Sequence, residues 1–235
     1  MEFEKLEIVC NASELSEEEY ALVRKDSLGA SDSSILCEVN LYKKLDQLIA
    51  EKNAKFLTDE EKEIGKKPAV RMGRDLEPMV LSRFAERHNV TVSKPEYMYR
   101  IKEFPYLTIN FDGVSTDFEP NEKTPIEAKC VTRFGAKYYN KLVNPATVRG
   151  MEITRKGNIK DHIKYYADKC GIPGYYYTQV QQQLLGSGAS YGYLTALFIE
   201  TWEFVDFLVP RDEYVITHII ATGAKVDEKI IKRQA

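Results

Sequence analysis

Two carboxylates and an ammonium stand in apolar, β-branched surroundings where such side chains are costly. Asp112 lies in Thr108-Ile109-Asn110-Phe111-Asp112-Gly113-Val114, and Glu127 and Lys129 flank Ala128 in Pro125-Ile126-Glu127-Ala128-Lys129-Cys130-Val131. These runs favour strands, and a charge within them demands a partner or a purpose. Strand side chains alternate between faces, so Glu127 and Lys129 project together with Ala128 opposite. A hairpin turning through Glu119 to Thr124 could bring Asp112 onto the same surface. That set suits a hard divalent cation with open coordination positions. Asp112 and Glu127 would supply oxygens, a backbone carbonyl between them a further one, and Lys129 would stand near an attacking water or scissile phosphate. The plain alternative is an edge hairpin with a cross-strand ion pair.

The elements that must position these groups follow from patterning. Residues 11 to 25 read as a helix capped by Ser16, with Glu17 to Glu19 facing its N-terminal dipole. The turn Asp26-Ser27-Leu28-Gly29-Ala30-Ser31-Asp32 precedes a helical run from Ser33 to Leu48. Backbone N–H groups there, with the Ser31 hydroxyl and Arg24, could hold a phosphate, and a plain capping turn is the alternative. Glu51 to Lys67 reads as an exposed connection with a short helix near Thr58, and Lys66, Lys67, Arg71 and Arg74 form a basic cluster. A second helix covers about Val70 to His88, with Pro78 expected to kink it or mark its first turn. Glu77 lies beside its apolar stripe, placed either to ligate metal or to pair with a cation.

Strands are expected over Val90 to Ser93, Glu96 to Ile101, Leu107 to Phe118 and Pro125 to Val131. A helix from Phe134 to Leu142, a loop holding Asn144-Pro145 and a short helix to Cys170 come next. The helix opened by Pro173-Gly174 carries Tyr176, Gln179 and Gln183 on one face. Strands Tyr191 to Ile199 and Trp202 to Val209 and an amphipathic helix from Pro210 to about Ile231 complete the chain. The order predicts an α/β fold with a mixed central sheet, in a single domain over residues 1–235.

Composition narrows the classes. The 235 residues carry 43% hydrophobic and 29% charged side chains and a formal net charge of −3, so any attraction to nucleic acid must be local or metal-mediated. Four cysteines without a C-x-x-C pair exclude a zinc or iron–sulfur pattern and suit a reducing compartment. With no apolar run of membrane-spanning length and no basic-then-apolar leader at Met1, a cytoplasmic location without membrane contact is expected.

Five motifs in order carry a resemblance: Arg24 with Gly29-Ala30-Ser31, Gly73-x-x-x-Glu77, Asp112-Gly113, Glu127-Ala128-Lys129, and Tyr176-x-x-Gln179-Val180-Gln181. Over about Arg24 to Val209 the chain resembles the YqaJ-like viral recombinase family, relatives of phage lambda exonuclease within the PD-(D/E)xK nuclease superfamily. The resemblance implies a restriction-endonuclease-like core and a Mg2+-dependent 5′→3′ exonuclease, with Mn2+ able to substitute and two ions in the site. It makes Asp112, Glu127 and the Ala128 carbonyl ligands, has Glu77 bind metal directly or through water, and gives Lys129 the water and the developing phosphate charge. Arg24 and Ser31 are assigned to the DNA 5′-phosphate, and Tyr176, Gln179 and Gln181 to the helix lining the site. Double-stranded DNA ends, a single-strand annealing protein and a homotrimeric ring are the implied partners, in a phage- or prophage-encoded protein of a bacterial host. An endonuclease or structure-specific nuclease with the same site, and a non-catalytic DNA-binding protein of the same fold, are the competing readings. Phe111 stands where the family often has proline.

Overall fold

The structure, a computed structural model, describes residues 3–231. Strand β1 (Leu6–Asn11) leads to α1 (Glu17–Val23), β2 (Leu28–Gly29), α2 (Ser33–Leu36), α3 (Leu45–Asn53), α4 (Asp59–Ile64) and α5 (Pro68–His88). Then come β3 (Tyr97–Ile101), β4 (Phe104–Ile109), β5 (Gly113–Ser115) and β6 (Thr124–Val131). The chain continues through α6 (Arg133–Ala136), α7 (Pro145–Arg149), α8 (Ile159–Cys170), α9 (Gly174–Ser187), β7 (Tyr191–Phe198), β8 (Glu203–Pro210) and α10 (Glu213–Asp227).

The strands form two mixed four-stranded sheets, ordered β1-β3-β4-β2 and β5-β6-β7-β8. In the second, β6 runs antiparallel to β5 and parallel to β7, with Glu127 opposite Leu194 and Lys129 opposite Ala196. Every residue of β7 is buried, as a strand covered on both faces should be. Helix α9 packs between the sheets: Val180 and Leu184 are fully buried, and a Cβ at Gly186 would meet Ile109 and Leu6 of the first sheet. No helix among the described residues is long and apolar enough to cross a membrane.

Several expected boundaries shift for local reasons. Ser16 does cap α1, but the helix ends at Val23, and the flanking segments tighten into 3-10 turns at Ala12–Glu14 and Arg24–Asp26. The run from Ser33 to Leu48 is broken: α2 stops after one turn, Glu38 takes a left-handed conformation, and the Asn40 side chain accepts from the N–H groups of Tyr42 and Lys43. Such side-chain bonds offer the backbone an alternative to helix. Thr58 caps α4 as expected. Pro78 sits in the interior of α5, and it is Pro68 that occupies the first turn.

The single strand expected from Leu107 to Phe118 divides at Asn110–Asp112, where the chain passes from one sheet to the other. Val90 to Ser93 contributes only a bridge between Ser93 and Val114. The Phe134–Leu142 helix shrinks to α6, because Asn140 turns its N–H to the Gly171 carbonyl and its side chain to the N–H of Leu142. Asn144, expected in a loop, caps α7.

Candidate active site

Asp112 occupies the crossing between the sheets, fixed from both sides. Its Oδ2 accepts the Ala128 N–H at 2.9 Å, which ties the carboxylate across to β6. Gly113 beside it allows close packing: an added Cβ would lie 2.7 Å from Val92 and 3.0 Å from Leu81, so a larger residue would push α5 away. The preceding Phe111 is buried and stacks on Phe3 with ring centroids 5.1 Å apart. An aromatic anchor therefore fixes the entry to Asp112.

Glu127 is 2% exposed and each of its oxygens is engaged. Oε1 accepts from Lys129 Nζ and Gln179 Nε2, and Oε2 accepts from Gln183 Nε2 at 2.6 Å. The i, i+4 spacing of Gln179 and Gln183 puts both amides on the α9 face that looks at β6. One turn earlier, the Tyr176 ring centroid lies 5.3 Å from Lys129 Nζ.

The electrostatics of this cluster are unbalanced. Burial and the neighbouring Glu127 carboxylate push the Asp112 pKa up to about 8, with Glu77 adding to the rise and Lys129 opposing it. Burial disfavours the charged Lys129, yet Glu127 and Asp112 hold its pKa above the usual lysine value. Two carboxylates thus share one permanent cation, which leaves room for further positive charge. The donor chemistry fits a hard divalent ion, which takes one or two protein carboxylates and keeps several waters. Asp112, Glu127 and the Ala128 carbonyl would hold it. Among the described residues, however, no three His, Cys, Asp or Glu side chains stand together as a metal cluster.

Glu77 projects from α5 into electrostatic reach of Asp112, and its Oε1 is bound by Lys94 Nζ at 2.6 Å. The expected pairing with a cation is met, by Lys94, and Glu77 carries this pair close enough to Asp112 to raise its pKa. A cavity of about 620 Å³ lies here, lined by Tyr20, Arg74, Glu77, Lys94, Asn110 and Asp112. Of the basic cluster, Lys66 is paired with Glu63 and Arg74 with Glu17.

Arg24 and Ser31 are brought together: Arg24 Nη2 donates to Ser31 Oγ at 3.0 Å. Beneath them Asp32 accepts from Gly29 N–H at 3.0 Å and from Lys52 Nζ at 2.9 Å. Burial opposes the Asp32 carboxylate, but Lys52 and Arg24 keep its pKa low. One backbone N–H of this turn, that of Gly29, is thus already taken, and α2 is one turn long. Of the expected phosphate-binding set, the Arg24 guanidinium and the exposed Ser31 hydroxyl remain, bonded to each other. Burial pushes the Tyr20 hydroxyl pKa up, Arg24 opposes the rise, and Asp112 adds to it, so Tyr20 lies within electrostatic reach of both groups; its hydroxyl bonds the Asn110 side chain.

Gln181 is not at the site. It is fully buried on the opposite side of α9, donating to the Pro210 carbonyl at 2.9 Å and accepting from the Asp212 N–H at 2.8 Å. Two residues turn a helix by about 200°, so Gln179 and Gln181 cannot share a face. Gln182 carries a positioning role that sequence reasoning missed. Its amide donates to the Leu28 and Thr108 carbonyls and accepts from Ser33 Oγ at 2.6 Å. The signal was three consecutive glutamines, too many for one wet face.

The sequence profile of the YqaJ-like viral recombinase domain matches residues 19–190. The chain belongs to that family. A curated relative, the uncharacterized protein YqaJ of Bacillus subtilis (strain 168), is 25% identical over 137 residues, which are 58% of this chain and 40% of that protein. The chain therefore spans less than half the length of the curated relative it matches. Among solved structures, an alkaline exonuclease from Laribacter hongkongensis superposes with a TM-score of 0.57 at 16% identity, covering 91% of this chain and 94% of that one. A phage-related exonuclease from Haemophilus somnus 129PT gives 0.51 at 14% identity, covering 87% and 93%. The shared fold is a mixed α/β core with mixed sheets flanked by helices.

Proposed function

We propose that this viral recombinase-family protein, as one nuclease domain over residues 1–235, is a Mg2+-dependent exonuclease. It hydrolyses one strand of linear double-stranded DNA from a 5′ end and leaves single strands for an annealing protein. The observation that carries the reading is the convergence of Asp112, Glu127 and Lys129 on one surface, with a bonded Arg24–Ser31 pair beside Tyr20, which senses the charges of both Arg24 and Asp112. A cleavage centre needs the first group; an enzyme that starts at an end needs the second as well.

Bound Mg2+ would polarise the scissile phosphate and make water a stronger nucleophile. Asp112 and Glu127 hold the ligand oxygens in place, the former through the Ala128 N–H and the latter through Gln179 and Gln183. Lys129, kept charged by its carboxylate neighbours, orients the attacking water and offsets charge that grows on the phosphate oxygens. Glu77, bonded to Lys94 at 2.6 Å, would help to hold the ion or its waters, and Tyr176 walls the site beside Lys129. Arg24 and Ser31 bind the terminal phosphate by charge-assisted hydrogen bonds. A ring of copies around the duplex would keep the enzyme on its substrate.

The test compares linear duplex bearing 5′-phosphate or 5′-hydroxyl ends with a covalently closed circle, with Mg2+ or EDTA. Metal-dependent loss of the phosphorylated linear duplex, with the circle intact, is expected. Cutting of the circle would make the protein an endonuclease, and no cleavage of any substrate would leave a binding protein.

A further inference from the structure

Helix α9 begins beside Lys129, and its first turn presents Tyr175 and Tyr176 edge to face with ring centroids 4.5 Å apart. Two loops abut this helix start. The loop between α2 and α3 reaches it through Val39, which would lie 3.9 Å from a Cβ placed on Gly174. That loop carries Tyr42, 87% exposed. The segment after α6 is fixed by the Asn140 N–H donating to the Gly171 carbonyl at 2.9 Å, and it carries Tyr138, 42% exposed. Behind burial and Tyr176, Tyr42 and Tyr138 are close enough to help push the Tyr175 hydroxyl pKa up.

Tyr42 and Tyr138 stand exposed on the two loops that flank the half-buried Tyr175, and exposed rings grouped around one helix start call for an occupant where scattered single aromatics do not. Cations interleave with them. Lys44 lies two residues beyond Tyr42 and is exposed, while Lys43 between them is paired with Glu51; Lys137 holds its Nζ 5.0 Å from the Tyr138 ring centroid. Flat π-faces with lysines between them match a single strand of nucleic acid, whose bases stack while its phosphates meet the cations. A buried protein partner would instead strand the lysines away from water.

We propose that Tyr42, Tyr138 and Tyr175 form a stacking shelf for unpaired nucleobases on the Lys129 side of the cleavage site. The identity of the polymer as DNA rests on the nuclease reading above. The shelf receives bases as the duplex end opens, so that unpairing is offset where the scissile strand enters.

Binding of an eight-nucleotide single-stranded DNA containing 2-aminopurine tests this, in EDTA so that no cleavage intervenes. Two paired variants are compared with the wild type: Tyr42→Leu with Tyr138→Leu, and Tyr42→Phe with Tyr138→Phe. Both positions are exposed, so folding is not at stake. The leucine pair should lose roughly five- to a hundredfold in affinity for each stacked base, together with the fluorescence quench, and the phenylalanine pair should keep both. Undiminished binding by the leucine pair, or no binding by the wild type, overturns the shelf. If the leucine pair binds DNA normally but sediments differently, the face joins copies of this chain and the proposal fails. Cleavage of linear duplex is scored separately: stacking without cleavage would sink the nuclease reading and leave the shelf standing.

Discussion

Asp112→Asn should make the metal-free protein more stable at neutral and alkaline pH, and the effect should vanish in acid. The Asn side chain keeps an oxygen for the Ala128 N–H and removes the charge. In the folded protein burial and Glu127 push the Asp112 pKa up to about 8, against about 3.9 in an unfolded chain. Between those values the folded state binds a proton that the unfolded state has released, so stability falls as pH rises. Each pH unit is worth about 1.4 kcal/mol, and from pH 5 to 7.5 the ceiling is about 3 kcal/mol. Urea unfolding of wild type and variant in EDTA at pH 5, 6, 7 and 7.5 measures the difference, in which titrations not coupled to Asp112 cancel. The gap should widen with pH by about 1–3 kcal/mol, with the low end reflecting relaxation around the carboxylate. Mg2+ at a hundred times its Kd should then return about 2.7 kcal/mol to the wild type and nothing to the variant. A gap independent of pH, or equal stabilisation of both proteins by Mg2+, would refute the shared-charge account.

Glu127→Gln should abolish Mg2+-dependent cleavage while the fold persists, as read by gel assay and circular dichroism, because the amide keeps hydrogen bonds but removes a charged ligand. Lys129→Ala should lower kcat far more than it weakens DNA binding, and Lys129→Gln should not rescue it; equal losses in both would make Lys129 a binding residue. Arg24→Ala should erase the preference for 5′-phosphorylated ends, with Arg24→Lys restoring it in part. Charged hydrogen bonds of about 1.5–3 kcal/mol put that preference at roughly ten- to a hundredfold, read as a ratio of rates in one preparation. Gln183→Leu should raise the Mg2+ concentration needed for half-maximal cleavage about ten- to a hundredfold, since it frees Glu127 Oε2 from its 2.6 Å bond.

What could be read from the sequence was local and periodic. Glu127 and Lys129 share a face because strands alternate, and the hairpin that brings Asp112 to them follows from its turn residues. The same periodicity found Gln179 and Gln183 on the Glu127 face. It would also have excluded Gln181, which entered only through the family motif. The failures lie where a distant group decides. The hold of Lys94 on Glu77 spans 17 residues, and the Asn140 turn depends on a carbonyl at Gly171. The break after Leu36 depends on which N–H groups the Asn40 side chain reaches first, a competition that helical propensity does not encode.

The amides of α9 give the two halves of the proposed reaction a common ruler. Gln179 and Gln183 bind Glu127 in the second sheet. Gln182 binds the Leu28 and Thr108 carbonyls of the first sheet, directly under the turn that carries Ser31. On the far side Gln181 secures α9 to the start of α10 through Asp212, whose carboxylate is also held by His162 and Tyr177 at 2.8 Å each. Buried amides bring little net stability, because each hydrogen bond replaces one made with water, but an amide left unpaired costs about 1–3 kcal/mol. The arrangement therefore acts through specificity of position: any slide or rotation of α9 breaks bonds to both sheets together. An enzyme that must hold a terminal phosphate at Arg24 while it cleaves beside Glu127 needs that fixed spacing, and one rigid helix bonded to both sides supplies it.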